Sequence, residues 1–151
     1  MSNLVIRELM SADEMHSIFP LIQQLNPEID EPLFSSRLTS MREEGGYRCI
    51  ASYRDERMVG VAGFWVGTQL WCGKYVEPDN VVVDREERSG GIGGLMMDWI
   101  EAEAQRLGCE NDEARGLCRT RPYSRILSKE GLWRARYRHG QDIGGQWRSD
   151  P

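Results

Sequence analysis

The chain contains no run of 18 apolar residues, so nothing in its 151 residues reads as a membrane-crossing helix. Its start, Met1-Ser2-Asn3-Leu4-Val5-Ile6-Arg7-Glu8, lacks the basic opening and apolar core of a secretory signal, and the expected location is cytoplasmic. The cysteines Cys49, Cys72, Cys109 and Cys118 are widely spaced and form no CxxC pair, a pattern that argues against a disulfide framework or a zinc site. Histidine is scarce: His16 lies among helical residues and reads as a surface or partly buried side chain, and His139 adds no ligand pattern. No Gly-Lys-Ser/Thr closes a glycine-rich loop, which excludes a Walker A phosphate site. What remains is a composition of 40% hydrophobic and 28% charged residues at the size of one ordinary domain.

Charge is unevenly divided. Residues 1–110 carry 10 Lys and Arg against 19 Asp and Glu, whereas residues 111–151 carry 9 against 5, eight of those nine being arginine. A basic tail is one signature of nucleic-acid binding, but no DNA- or RNA-binding motif accompanies it and the body is acidic, so no nucleic-acid partner is expected.

Leu4–Leu9 reads as a first strand. Ser11-Ala12-Asp13-Glu14 has the form of a capping box, and Met15, Ile18, Phe19, Ile22 and Leu25 follow at helical spacing, with Pro20 expected to kink that helix. A second helix is predicted from Asp30, with Pro32 early, Leu33, Phe34, Leu38 and Met41 along it, and Gly45-Gly46 at its end. Residues 47–53 and 58–66 form a predicted hairpin around Arg54-Asp55-Glu56-Arg57. A further strand spans about 74–83, with Pro78 suggesting a bulge. A last helix carries Leu95, Met96, Trp99, Ile100 and Leu107 up to Gly108. The order β-α-α-β-β-β-loop-α predicts an α+β fold with a mostly antiparallel sheet flanked by helices, and it weakens a dinucleotide-binding reading of the glycine loop.

That loop, Arg88-Ser89-Gly90-Gly91-Ile92-Gly93-Gly94, is the most informative segment. It joins the hydrophobic run Val81-Val82-Val83 to a helix, and its glycines leave main-chain N–H groups open to close approach. The helix start adds its positive dipole end, so the turn suits a phosphate or pyrophosphate.

The pattern Arg-x-x-Gly-x-Gly, as Arg88 to Gly93 after Val81-Val82-Val83-Asp84, resembles the coenzyme A pyrophosphate loop of the GNAT superfamily of acetyl-coenzyme A-dependent N-acetyltransferases. The resemblance covers residues 3–109 and includes the order of elements. It implies acetyl-CoA as co-substrate, with the backbone of Val81, Val82 and Val83 pairing with the pantetheine arm and the amides of Arg88, Ser89, Gly90, Gly91, Ile92, Gly93 and Gly94 receiving the pyrophosphate. It also implies acetyl transfer to the primary amine of a small molecule or peptide. A homodimer is common in the family. A carboxylate before the valine run is the family's usual general base. Glu77 fits that place best and Asp79 is the alternative, although both also read as an acidic patch at a strand bulge. Cys72 reads as a small buried thiol and Asp84-Arg85-Glu86-Glu87 as a solvated loop, with Arg85 placed to meet a phosphate.

Residues 110–151 do not continue the family pattern. The expected fifth strand and the Phe-Tyr-x-x-x-Gly-Phe helix are missing, and Tyr123 and Tyr137 stand outside that context. Reading the codons of Ile126-Leu127-Ser128-Lys129-Glu130-Gly131-Leu132-Trp133 one base later permits Phe-Tyr-x-(Lys/Arg)-(Lys/Arg)-Gly-Phe, the missing signature. A frameshift near residue 110 is the resulting expectation, and with it an incomplete C-terminal half and an impaired cofactor site.

Overall fold

A computed structural model of the chain describes residues 3–70 and 73–109 together with the backbone of 132–133. Strand β1 is Leu4–Glu8, followed by helices α1 (Ala12–His16), α2 (Phe19–Leu25) and α3 (Glu31–Glu44). Strands β2 (Tyr47–Arg54), β3 (Arg57–Gln69) and β4 (Gly73–Val83) lead to helix α4 (Ile92–Arg106), and β5 is the pair Leu132–Trp133. The sheet runs β1-β2-β3-β4-β5, and every pairing is antiparallel. This is the expected α+β arrangement.

Local chemistry explains most boundaries. Ser11 Oγ accepts from Glu14 N at 3.1 Å and Glu14 Oε2 accepts from Ser11 N at 3.1 Å, the reciprocal capping box that opens α1. The expected kinked helix is two helices: the break falls at Ser17-Ile18, and Pro20 sits in the first turn of α2, where its missing N–H has no intrahelical acceptor to lose. Asp30 caps α3 by accepting from Leu33 N at 2.9 Å. Gly45 and Gly46 end α3 at φ 77° and 83°, and a Cβ on Gly46 would sit 2.5 Å from Val66 O. The β2–β3 turn narrows to Asp55-Glu56, both at positive φ, as a two-residue hairpin requires. At the end of α4, Gly108 (φ 78°) donates to Gln105 O and Cys109 N to Ala104 O, each at 3.0 Å, the paired bonds of a Schellman stop.

The sheet separates two cores. Its first face, with Cys49, Ala51, Val61 and Val82, packs with Leu9, Met15, Ile18 and the buried residues of α2 and α3. The opposite face, with Ile50, Val59, Phe64, Val81 and Val83, packs under α4 through Ile92, Met96 and Ile100. Close approach of α4 depends on Gly60: a Cβ there would lie 2.6 Å from Ser52 Oγ, 3.1 Å from Met96 Cε and 3.2 Å from Ile92 Cγ2. Gly60→Ala is therefore expected to destabilise the fold by about 1–2 kcal/mol, overpacking outweighing the smaller unfolded-state gain from alanine, and urea denaturation will read it.

A bulge was expected at Pro78, but Pro78 keeps its place opposite Phe64. The register slips later, between the pairs Gly63↔Asp79 and Val61↔Val82, and Asn80 adopts φ 51°. Asparagine tolerates that left-handed conformation better than most residues, so the extra residue is accommodated there. The slip lets Asp79 remain on the first face while Val81 and Val83 turn into the core under α4. The contact between Leu132–Trp133 and Val81–Val82 was not anticipated, because two residues in an Arg- and Gly-rich stretch carry no readable alternation. Cys72, Cys118, Tyr123, Tyr137, His139 and most of the frameshift segment lie outside the described residues.

Candidate acyl-coenzyme A site

The glycine loop leaves the last valine of β4 and enters α4 through Gly91, the helix N-cap, at φ 75° and ψ 5°. A Cβ at Gly91 or Gly94 would meet nothing within 4 Å, so both positions leave the approach to the helix end open. Leu95 N returns to Gly91 O at 3.1 Å, whereas no described backbone carbonyl accepts from the amides of Ile92, Gly93 or Gly94. These are the orphan donors of a helix start, with the positive end of the dipole beside them. Ile92 and Gly93 are buried, Gly94 is partly buried, and Ser89, Gly90 and Gly91 just before them are exposed.

Ion pairs anchor the loop from behind. Glu87 accepts from Arg54 Nε at 3.1 Å and from an Arg57 terminal nitrogen at 2.7 Å, and Arg57 also reaches Glu86 at 3.0 Å. The loop expected to be solvated is thus tied to the β2–β3 hairpin, a long-range pairing that sequence spacing could not reveal. Asp84 Oδ1 accepts from Glu86 N at 3.0 Å, and Gln24 Oε1 accepts from Arg85 N at 3.1 Å. Arg88 turns back, its Nε donating to Val83 O at 3.3 Å. Beside the loop, between α2 and residues 84–86, lies an open cavity of about 620 Å³ bordered by Gln23, Gln24, Asp84 and Arg85.

Glu77 and Asp79 stand two residues apart on the first face, opposite Trp65 and Gly63 respectively. Both are partly buried. Burial pushes the Glu77 carboxyl upward, with the neighbouring Asp79 charge adding to it. Burial also raises Asp79, against the opposing pull of the Trp65 indole and the Asn80 N–H. Neither is the freely solvated acid of a surface patch. The same face carries buried Tyr47 and Cys49, whose thiol burial pushes up to about 12, leaving it an inert neutral group. His16 is partly exposed and bonds Ser35 Oγ at 2.7 Å. No group of three or more metal-ligating side chains occurs among the described residues.

The acyl-CoA reading fits the residues present: three unaccepted amides, an open glycine surface and a carboxylate pair on the strand that precedes them. The model of the acetyltransferase (GNAT) family matches residues 12–116. The uncharacterized N-acetyltransferase YhdJ of Bacillus subtilis is 21% identical over 103 residues, spanning 68% of this chain and 72% of that protein. The fold is similar to that of a Trypanosoma brucei acetyltransferase, with TM-score 0.61, 21% identity, and coverage of 99% of this chain and 100% of the other. It is also similar to a predicted acetyltransferase from Clostridium acetobutylicum solved with acetyl-CoA, with TM-score 0.62, 12% identity, and coverage of 98% and 96%. Glucosamine-6-phosphate N-acetyltransferase from Arabidopsis thaliana gives TM-score 0.58 at 17% identity over 93% of this chain and 99% of that one. With its β4 valine run, its glycine loop and a family match across residues 12–116, the chain belongs to the acetyltransferase (GNAT) family.

Proposed function

We propose that the protein transfers the acetyl group of acetyl-CoA to a primary amine. The observation that carries this reading is the set of unaccepted amides at Ile92, Gly93 and Gly94, presented beside an open glycine surface at the start of a 15-residue helix. Charge-assisted N–H···O bonds from such donors to a diphosphate are short and strong. Val81–Val83 would guide the pantetheine arm, and Arg88 through Gly94 would receive the pyrophosphate. Acetyl-CoA supplies the activated thioester. The chain's own task is to hold it, to bring the amine alongside and to take the ammonium proton, for which Glu77 and Asp79 are the carboxylates in reach of β4. The excess of acidic over basic residues in 1–110 favours a cationic acceptor, either a small polyamine-like molecule or a peptide N-terminus.

One observation favours a second reading, an impaired remnant that binds coenzyme A weakly. Leu132–Trp133 pairs with Val81–Val82 along the edge of β4 that the pantetheine arm would use, and residues 73–80 have no strand beyond them among the described residues. One experiment distinguishes the two: thiol release from acetyl-CoA with spermidine, kanamycin or an alanyl tripeptide, for this chain and for a chain with the reading frame shifted near codon 110. The proposed activity predicts amine-dependent thiol release by this chain. Release by the frame-shifted chain alone assigns this form to the remnant, and release by neither refutes the acetyl-transfer reading.

A further inference from the structure

The two carboxylates of β4 are not equivalent. Asp79 Oδ2 accepts from the Trp65 indole Nε1 at 3.4 Å. Glu77 receives no hydrogen bond from any described residue. Asp79 stands immediately before the Asn80 bulge, and bulges beside a site re-aim the side chain next to them. Across from it, Gly63 has no side chain: a Cβ there would run into the Tyr47 hydroxyl and come to 3.0 Å from Asp79 O. Tyr47 fills that gap and packs its ring against Trp65, the centroids 5.1 Å apart. The indole that donates to Asp79 is therefore held on a buried support. The described titratable groups facing Asp79 are Glu77 on its own strand and Tyr47 on β2, with Cys49 beyond the tyrosine, and burial keeps Tyr47 and Cys49 neutral.

Resting on the acetyl-transfer reading, we infer that Trp65 is a positioning residue that holds Asp79 as the acceptor of the substrate ammonium proton, and that Glu77 does not take this role. In the step, R–NH3+ gives one proton to the Asp79 carboxylate, and the freed lone pair forms the N–C bond at the thioester carbonyl carbon. The C–S bond breaks, the sulfur leaves as thiolate, and the second amine proton neutralises it to the free thiol. Asp79 then releases its proton to solvent. Burial raises the Asp79 carboxyl toward the pH at which a carboxylate is an effective base, while the Trp65 N–H draws it back. The 3.4 Å separation suits a contact that shortens once the ammonium is in place.

The test uses Asp79→Asn, Glu77→Gln and Trp65→Phe in the full chain. Acetyl-CoA binding is measured by calorimetry, and kcat/KM is measured against pH with whichever of spermidine, kanamycin or the alanyl tripeptide the wild type acetylates. Asp79→Asn should lower kcat/KM by about 100-fold or more, the usual worth of a positioned base, and Glu77→Gln by less than about threefold. Trp65→Phe keeps an aromatic ring to pack against Tyr47 and loses the N–H together with the rest of the indole, so kcat should fall by roughly tenfold with KM little changed. Its acid limb should move to higher pH, because the group that lowers the Asp79 pKa is gone. Acetyl-CoA affinity should be unchanged in all three. A larger loss in Glu77→Gln than in Asp79→Asn, or an unmoved acid limb in Trp65→Phe, overturns the assignment. A wild type that binds acetyl-CoA but acetylates none of the amines also overturns it. Failure of the wild type to bind acetyl-CoA at all refutes instead the function on which the inference rests.

Discussion

Gly91→Val is expected to weaken acetyl-CoA binding by about tenfold or more and to lower stability by roughly 1–3 kcal/mol. Gly91 is the N-cap of α4 at φ 75°, a conformation that a β-branched residue adopts only under strain. Space is not the difficulty, since a Cβ would meet nothing within 4 Å. The backbone is. A valine that relaxes toward negative φ turns the peptide joining residues 91 and 92 and swings the Ile92 amide away from Gly93 and Gly94. A diphosphate at the helix start then loses at least one charge-assisted bond, about 1.5–3 kcal/mol. Calorimetry with acetyl-CoA reads the first effect and urea denaturation the second. Gly94→Ala provides the contrast: its Cβ also has open space and its φ is not in the left-handed region, so the fold should hold. Unchanged affinity in Gly91→Val would mean that the loop does not hold the cofactor.

Arg48→Met should cost about 2 kcal/mol and lower the thermal midpoint by roughly 4–8 °C. Arg48 reaches both oxygens of Glu8 at 2.6 and 2.7 Å and Glu103 Oε1 at 2.7 Å, joining β1, β2 and α4 while its guanidinium lies over Phe64. Methionine keeps the apolar stem and removes the charge. Glu8 and Glu103 are left with less compensation, but Arg48 and Glu8 are 24% and 22% exposed, so the loss falls short of the about 3–5 kcal/mol of a fully buried pair. Acid sensitivity gives a second check. Arg106 first, and then Arg48, hold the Glu103 carboxyl at about 2, below its ordinary 4.5. Stabilisation from this charge is therefore complete above about pH 4.5 and is lost as the pH falls toward about 2. In Arg48→Met only Arg106 remains as partner, the folded-state pKa rises, and this contribution to the acid loss should become shallower. An acid profile identical to wild type would show that Arg48 does not act on Glu103.

Local signals carried much of the fold. Ser11 with Glu14, Asp30 with Pro32, and Gly45-Gly46 marked helix ends that the backbone bonds reproduce, because each end is decided by residues a few positions apart. The glycine loop was legible for the same reason: a strand, four glycines and a helix are contiguous in sequence. What escaped depended on distant partners. Pro78 suggested the bulge, yet the slip went to Asn80, where the side chain tolerates positive φ. Glu87 read as solvated because its partners, Arg54 and Arg57, lie some 30 positions earlier. Trp65, which distinguishes Asp79 from Glu77, carried only the signal of strand alternation. Its indole meets the carboxylate through the β3–β4 register, which sets Trp65 opposite Glu77 and Gly63 opposite Asp79, a long-range pairing that periodicity does not reveal.

The most direct test of the cofactor site is to follow the backbone amide resonances of residues 88–94 in 15N-labelled protein as acetyl-CoA is added. The account predicts saturable shifts concentrated at Ile92, Gly93 and Gly94, the donors that no described carbonyl accepts, with little change along β1. Saturation of binding with those three resonances unmoved would contradict it.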